Sequence, residues 1–237
     1  MTAMENSMPN AAMVARAAAP DLHGISREAF DEIVNSETSG RKSYELNCRR
    51  PIRPGGASGI TVGIGYDCGY SSAATICADW GGKIAPAMVD ALASVAGLTG
   101  RAAQAQLGKV RPLVLIEWDA AIAVFCETSL PKYLALTRKA LPNFDLLPPS
   151  CRGVLTSLVY NRGASFSAQG ARYQEMRAIK AHMIAKVFDR IPAELRKMKR
   201  LWTAPAVRGV ALRREREARL FEAGLAGKEK APEQALV

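Results

Sequence analysis

The sequence predicts a mainly helical α+β protein with a small β lobe at about residues 44–66. Three observations lead there. The 237-residue chain is rich in alanine and leucine, with 49% hydrophobic but only 6% aromatic residues, a balance that favours helices. Apolar residues recur at helical spacing through much of the chain from Ile25 onward. One stretch departs from that period: Gly59-Ile60-Thr61-Val62-Gly63-Ile64-Gly65-Tyr66-Asp67 carries β-formers jointed by glycines. The length suits one domain of two lobes, or a domain with a tail. The expected division is a disordered leader at 1–24, an ordered domain at 25–225 and a frayed tail at 226–237.

Taken in order, Ser26 reads as an N-cap, with Ile25 and Phe30 spaced as a hydrophobic staple. Phe30, Ile33 and Val34 continue the apolar face to Glu37, and Gly40 closes the helix. Residues 41–58, rich in Arg, Pro and Gly, read as loop and irregular strand, with Tyr44 to Leu46 pairing against the strand at 60–64. Ala73 to Trp80 is a short helix, Pro86 opens another, and Thr99 caps a third running through Leu107. Glu117 to about Leu141 is helical, broken or kinked at Pro131. Cys151 to Asn161, opened by Pro148-Pro149-Ser150, is apolar on most sides and reads as the centre of the core. Glu175 to Phe188, Pro192 to Trp202 and Val207 to Phe221 complete the helices.

The formal net charge of +10 draws such a protein to a polyanion, and nucleic acid, anionic lipid and a bacterial envelope all qualify. The basic residues at 190–220 are interleaved with Glu194, Glu215 and Glu217 and have few aromatic neighbours, which reads as a solvated helix face rather than a specific nucleic-acid surface. The five cysteines are odd in number and form no CxxC pair, so free, mostly buried thiols are expected rather than a disulfide framework or a zinc site. With only His23 and His182 present, no metal is implied, and a Cys-His nucleophilic pair has no supporting motif. No run of about 18 apolar residues offers a membrane span. The N-terminus, interrupted by Glu5, Asn10 and Arg16, makes a poor signal peptide.

The chemistry gathers around 37–67. Gly63-x-Gly65 followed by Gly69 misses the dinucleotide spacing and lacks the lysine of a phosphate loop. What remains is a hydroxyl, Thr61, with carboxylates on either side. Glu37 falls in the last turn of its helix, where the partial negative charge of the helix end disfavours a carboxylate; a proton donor would be well served there. For the second carboxylate the choice lies between Glu45 and Asp67. Two carboxylates and a hydroxyl across a small β element point to acid/base hydrolysis with a positioned water. Two rivals stand beside this reading: a non-enzymatic helical module binding nucleic acid through 190–220, and a module that binds glycan without cutting it.

Thr61-Val62-Gly63-Ile64-Gly65-Tyr66-Asp67, preceded by a helix ending in Glu37, resembles the active-site signature of the phage-type lysozymes. The resemblance continues in Ser157 to Phe166, like the central helix of that fold, and from Trp202 through Pro205 and Arg208 to Phe221, like its C-terminal helices. In the phage enzymes the catalytic aspartate precedes the threonine by six residues; here that place is Gly55, and Asp67 follows Thr61 by six instead. That arrangement is similar to the pesticin-type muramidases, a bacteriocin branch of the same fold. The resemblance implies a lysozyme-like fold with a cleft between its lobes and, with no cofactor, cleavage of the β-1,4 bond between N-acetylmuramic acid and N-acetylglucosamine. It implies Glu37 as general acid, Asp67 as general base or electrostatic stabiliser, and Thr61 as holder of the attacking water. It places Arg208 near the family's arginine that pairs with the catalytic glutamate, and Tyr66 either along the cleft or in the core. A free-standing endolysin or a secreted antibacterial effector fits better than a whole bacteriocin. The expected protein is a monomer, made in the cytoplasm and acting on peptidoglycan after release or specialised secretion. Its possible partners are an immunity protein or a secretion adaptor.

Overall fold

The computed structural model describes residues 20–228, so residues 1–19 of the expected leader and 229–237 of the expected tail lie outside it. Its ordered body opens with a turn at His23-Gly24, where His23 Nε2 lies 2.8 Å from the Cys126 carbonyl. Helix α1 (Arg27–Thr38) follows, capped as its sequence predicts: Ser26 Oγ accepts the Ala29 N–H at 3.2 Å. Its end differs slightly. Ser39, not Gly40, is the capping residue, in the left-handed region at φ 59°, and Gly40 starts the next helix.

That next helix is a correction. Arg41–Asn47 is helix α2, where Tyr44 to Leu46 were expected to pair as a strand. Tyr44 is fully buried and its hydroxyl donates to the Ile116 carbonyl, while Arg41 and Glu45 form an i,i+4 ion pair along the outer face. Tertiary burial of the ring outweighs its β preference. Ile52 takes the strand's place, exchanging both backbone hydrogen bonds with Thr61. Strands β1 (Thr61–Val62) and β2 (Tyr66–Asp67) form the antiparallel hairpin, with Thr61 opposite Asp67 and Val62 opposite Tyr66. The β part therefore spans 52–67.

Helices α3 (Ala73–Trp80), α4 (Pro86–Ala93) and α5 (Gly100–Val110) follow where expected. The long helix expected from Glu117 is built as α6 (Trp118–Val124), a π-helical turn at Phe125–Ser129, and α7 (Leu130–Ala140). Proline at 131 has no N–H to give. The irregularity lies just ahead of it, where the Leu130 N–H reaches back five residues to the Phe125 carbonyl.

Helix α8 (Pro149–Arg162) is buried almost all round from Ser150 to Val159 and packs against α1, α7 and a long last helix, α11 (Arg208–Leu225). Helices α9 (Gln174–Ala185) and α10 (Ile191–Lys197) close the large lobe beside α11. The result is a lysozyme-like α+β fold, a large helical lobe and a small β part, with one continuous core running from Ile25 to Phe221. Of the five cysteines, Cys68, Cys126 and Cys151 are buried. Among the described residues no helix is long and apolar enough to cross a membrane, and no cluster of three metal-binding side chains occurs.

Candidate active site

The last turn of α1 and the hairpin face each other across a hollow of about 430 Å³ whose lining includes Glu37, Thr61, Asp67, Tyr70, Tyr133 and Tyr160. The three residues singled out for chemistry are thus brought to one wall-to-wall space. Directly opposite residues of an antiparallel pair point to the same face, so the Thr61–Asp67 pairing sets hydroxyl and carboxylate side by side. Glu45 is elsewhere: it pairs with Arg41 and lines a separate depression with Arg49, Arg50 and Arg111. Asp67, and not Glu45, therefore lines the same hollow as Glu37.

Backbone amides fix Asp67. Its Oδ1 accepts the Gly69 N–H at 2.8 Å, and both carboxylate oxygens lie 3.1 Å from the Gly59 nitrogen. A Cβ on Gly59 would run into Asp67 Oδ1, so the close approach requires glycine there. The hairpin turn is held in the same way: Gly65 has φ +71°, and the Tyr160 hydroxyl donates to the Ile64 carbonyl at 2.6 Å beside it. Burial first, and Glu37 second, push the Tyr160 phenol well above its ordinary value, so it stays a donor. Tyr133 packs against Tyr160 with ring centroids 4.4 Å apart and the rings tilted by 51°; burial, then Glu37 and Asp67, raise its phenol too.

Glu37 is anchored from the far side of the fold. Arg213 of α11 donates to Glu37 Oε1 at 2.7 Å. The Arg213 side chain is only 4% exposed and also donates to Glu217 Oε1 at 3.1 Å and to the Ser157 hydroxyl and carbonyl. Burial opposes its charge, but Glu217 and Glu37 together hold it above the ordinary arginine value. Glu217 is itself fully buried and takes a second guanidinium, Arg214, at 2.7 Å. This corrects the expectation for Arg208, which is exposed in the first turn of α11, while Arg213 supplies the guanidinium on Glu37. The signal that would have found it is the i,i+4 spacing of Arg213 and Glu217 on a helix that also buries Ala218 and Phe221. Tyr66 answers both of its readings: it is 8% exposed with its ring edge-on to Trp80, yet its hydroxyl donates to Asp79 Oδ2 at 2.7 Å on the cleft's continuation.

The basic residues between 190 and 220 are extensively paired. Arg196 binds Glu215 and Glu222, Lys199 binds Glu215, Arg200 binds Glu175, and Arg216 binds Glu32. Their charge is answered within the fold rather than gathered into a stripe.

Compared with known families, residues 31–180 match the profile described as Pesticin, bacterial toxin homologue of phage lysozyme, C-terminal. That match takes in Glu37, Thr61, Asp67 and the whole β part, and stops before Arg213. No curated protein matches the chain.

Proposed function

The chain belongs to the Pesticin family of phage-lysozyme homologues, and from that premise we propose that it is a muramidase. It hydrolyses the β-1,4 bond between N-acetylmuramic acid and N-acetylglucosamine in peptidoglycan. The observation that carries this reading is the convergence of Glu37, Thr61 and Asp67 on one hollow, with Arg213 behind the glutamate and two backbone amides behind the aspartate. In the proposed reaction Glu37 protonates the leaving glycosidic oxygen. Asp67 takes a proton from a water held against Thr61 as that water attacks the anomeric carbon. The oxocarbenium-like charge that develops is faced by the ionised Asp67. Attack by a water on the face opposite the leaving group inverts the anomeric carbon, which the first-formed product anomer would report by NMR.

The rest of the reading concerns context. The net charge of +10 holds the enzyme on an anionic wall, an attraction that salt weakens. An endolysin or a secreted antibacterial effector, acting in the periplasm or cell wall, is the setting we favour.

The test is release of reducing ends from purified peptidoglycan by wild type, Glu37→Gln, Asp67→Asn and Glu45→Gln. Activity in wild type and Glu45→Gln, with the other two dead, supports the assignment. A live Asp67→Asn with a dead Glu45→Gln would move the second carboxylate to Glu45. A folded wild type that releases nothing from several peptidoglycan chemotypes ends the muramidase reading.

A further inference from the structure

Behind Glu37 the charges form a chain rather than a pair. Arg213 Nη1 donates to Glu37 Oε1 at 2.7 Å, Arg213 Nε donates to Glu217 Oε1 at 3.1 Å, and Arg214 Nη2 donates to that same oxygen at 2.7 Å. Glu217 lies at i+4 from Arg213 and i+3 from Arg214, so about one turn of α11 carries all three. Only the first member of the chain opens on the cleft. The side chain of Glu37 is 24% exposed, that of Arg213 4%, and those of Arg214 and Glu217 not at all. A change of charge at the inner end is therefore felt at the outer end with little screening by water.

Arg213 alone would be a poor neighbour for a proton donor. A guanidinium on a carboxylate favours the ionised form, whereas a general acid has to arrive protonated. Glu217 competes for that guanidinium from the side away from the cleft. Burial opposes the Arg213 charge, and of the two carboxylates that uphold it Glu217 weighs more than Glu37. Arg214 acts in the opposite sense, because it draws on the Glu217 oxygen that Arg213 uses. Burial lowers its guanidinium to about 10, and its Nε and Nη1 have no partner among the described residues. The other titratable groups facing Glu37 are Tyr160 of α8, Tyr133 of α7, Asp67 of the hairpin and Cys48 just past α2. Glu217 also takes the Ser157 hydroxyl of α8 at 2.6 Å. Arg162 of α8 and Glu32 of α1 bear on Arg214 from further off. Arg196 and Lys199, from α10 and the turn that follows it, answer to Glu215 and Glu222 instead.

We propose that Glu217 is a positioning residue for the acid step: by sharing Arg213 with Glu37 it weakens the hold of that guanidinium on the ionised carboxylate and keeps the Glu37 proton in place until the leaving oxygen takes it, while Arg214 sets how much of Glu217 is left for Arg213. The proposal rests on the muramidase reading and deepens it. No bond forms or breaks at Glu217. Once the proton has passed to the leaving oxygen, Arg213 is still 2.7 Å away to meet the carboxylate that remains. One buried carboxylate thus guards the reactant state, and one guanidinium receives the product state.

The experiment records the pH profile of kcat/KM on purified peptidoglycan for wild type, Glu217→Gln, Arg214→Met and Ser157→Ala. Independently of turnover, carboxyl 13C NMR follows the titration of Glu37, assigned by comparison with Glu37→Gln. Glu217→Gln keeps an oxygen for Ser157 and both arginines, and Arg214→Met removes the orphaned donors together with the charge. In Glu217→Gln the limb that reports loss of the Glu37 proton should move to lower pH by about one unit, an about tenfold loss of rate on its alkaline side. In Arg214→Met it should move to higher pH. Ser157→Ala changes no charge and should scale the rate without moving the limb. The NMR midpoints should follow the same directions. Limbs and midpoints equal to wild type in both charge variants overturn the proposal, as does a shift of the same sign in both, or a loss that is equal at every pH. If Glu217→Gln does not fold, the direction of the shift in Arg214→Met decides alone. A folded wild type that releases nothing ends the muramidase reading and the acid step with it, whereas a cutting wild type with unmoved limbs in the variants ends the Glu217 proposal alone.

Discussion

Replacing Arg213 with alanine tests the centre of the site most severely. The side chain is 4% exposed and bridges Glu37, Glu217 and Ser157. Its loss strands Glu217, a carboxylate with no exposure, on Arg214 and the Ser157 hydroxyl alone, with Oε2 already unpartnered. Removing one partner from a buried charge pair costs about 3–5 kcal/mol, against a total stability of about 5–15 kcal/mol for a domain. Arg216→Ala, three residues along the same helix, is the control. It breaks a pair with Glu32 in which the arginine side chain is 49% exposed, and such pairs contribute less than about 1 kcal/mol. Urea unfolding followed by far-UV circular dichroism measures both. A loss in Arg213→Ala no larger than in Arg216→Ala would refute the claim that this network is a buried electrostatic joint between α1 and α11.

Other expectations follow from the glycines and the carboxylates. Gly65→Ala puts a Cβ 2.6 Å from the Tyr160 hydroxyl at a φ of +71°; left-handed strain and a lost hydrogen bond together cost roughly 2–3 kcal/mol, read as a lowered urea midpoint, and a midpoint equal to wild type would contradict the packing described. Gly59→Ala displaces Asp67 from its amides, so peptidoglycan cleavage should fall at least about tenfold, and full activity would mean those amides do not position it. Acid should destabilise the fold: Glu215 is held at about 2 by hydrogen bonds from Lys199 and Arg196, and at Glu175 burial pushes upward but Arg200, a backbone N–H and Gln174 together hold it below the ordinary value. The unfolded chain takes up these protons near 4.5, so the stabilisation is complete above that pH and is lost as pH falls through the folded values. The thermal midpoint should drop between about pH 4.5 and pH 2, less steeply in Arg200→Gln, and a flat midpoint over that range would refute the linkage.

Much of this was written locally in the sequence. Ser26, Pro86 and the run from Ala73 to Trp80 carry their own start signals, and their helices lie where those signals put them. Thr61 and Asp67 drew attention as a hydroxyl and a carboxylate at the two ends of one β stretch, with Asp67 preferred over Glu45 through the family resemblance; the hairpin register sets them opposite each other. What failed was set by distant partners. Tyr44 looks like a strand residue until Ile116 accepts its hydroxyl across 72 positions. Arg213 sits 176 positions from Glu37, and its i,i+4 spacing with Glu217 marks it as inward-facing without naming Glu37 as its partner.

The π-turn at Phe125–Ser129 fixes more than local shape. It accommodates one residue beyond what an α-helix of the same span would hold, so the surplus is absorbed in the widened turn and the side chains of α7 keep the bearing of an uninterrupted helix. Deleting a single residue there, for instance Glu127, would close the turn to a plain α-helix and leave Leu130, Leu134 and Thr137 in the core and Tyr133 on the cleft. The same deletion inside α7 has no surplus to draw on and would swing all that follows by about 100°. The turn is thus a place where this stretch tolerates a change in the count of residues, while α7 itself does not.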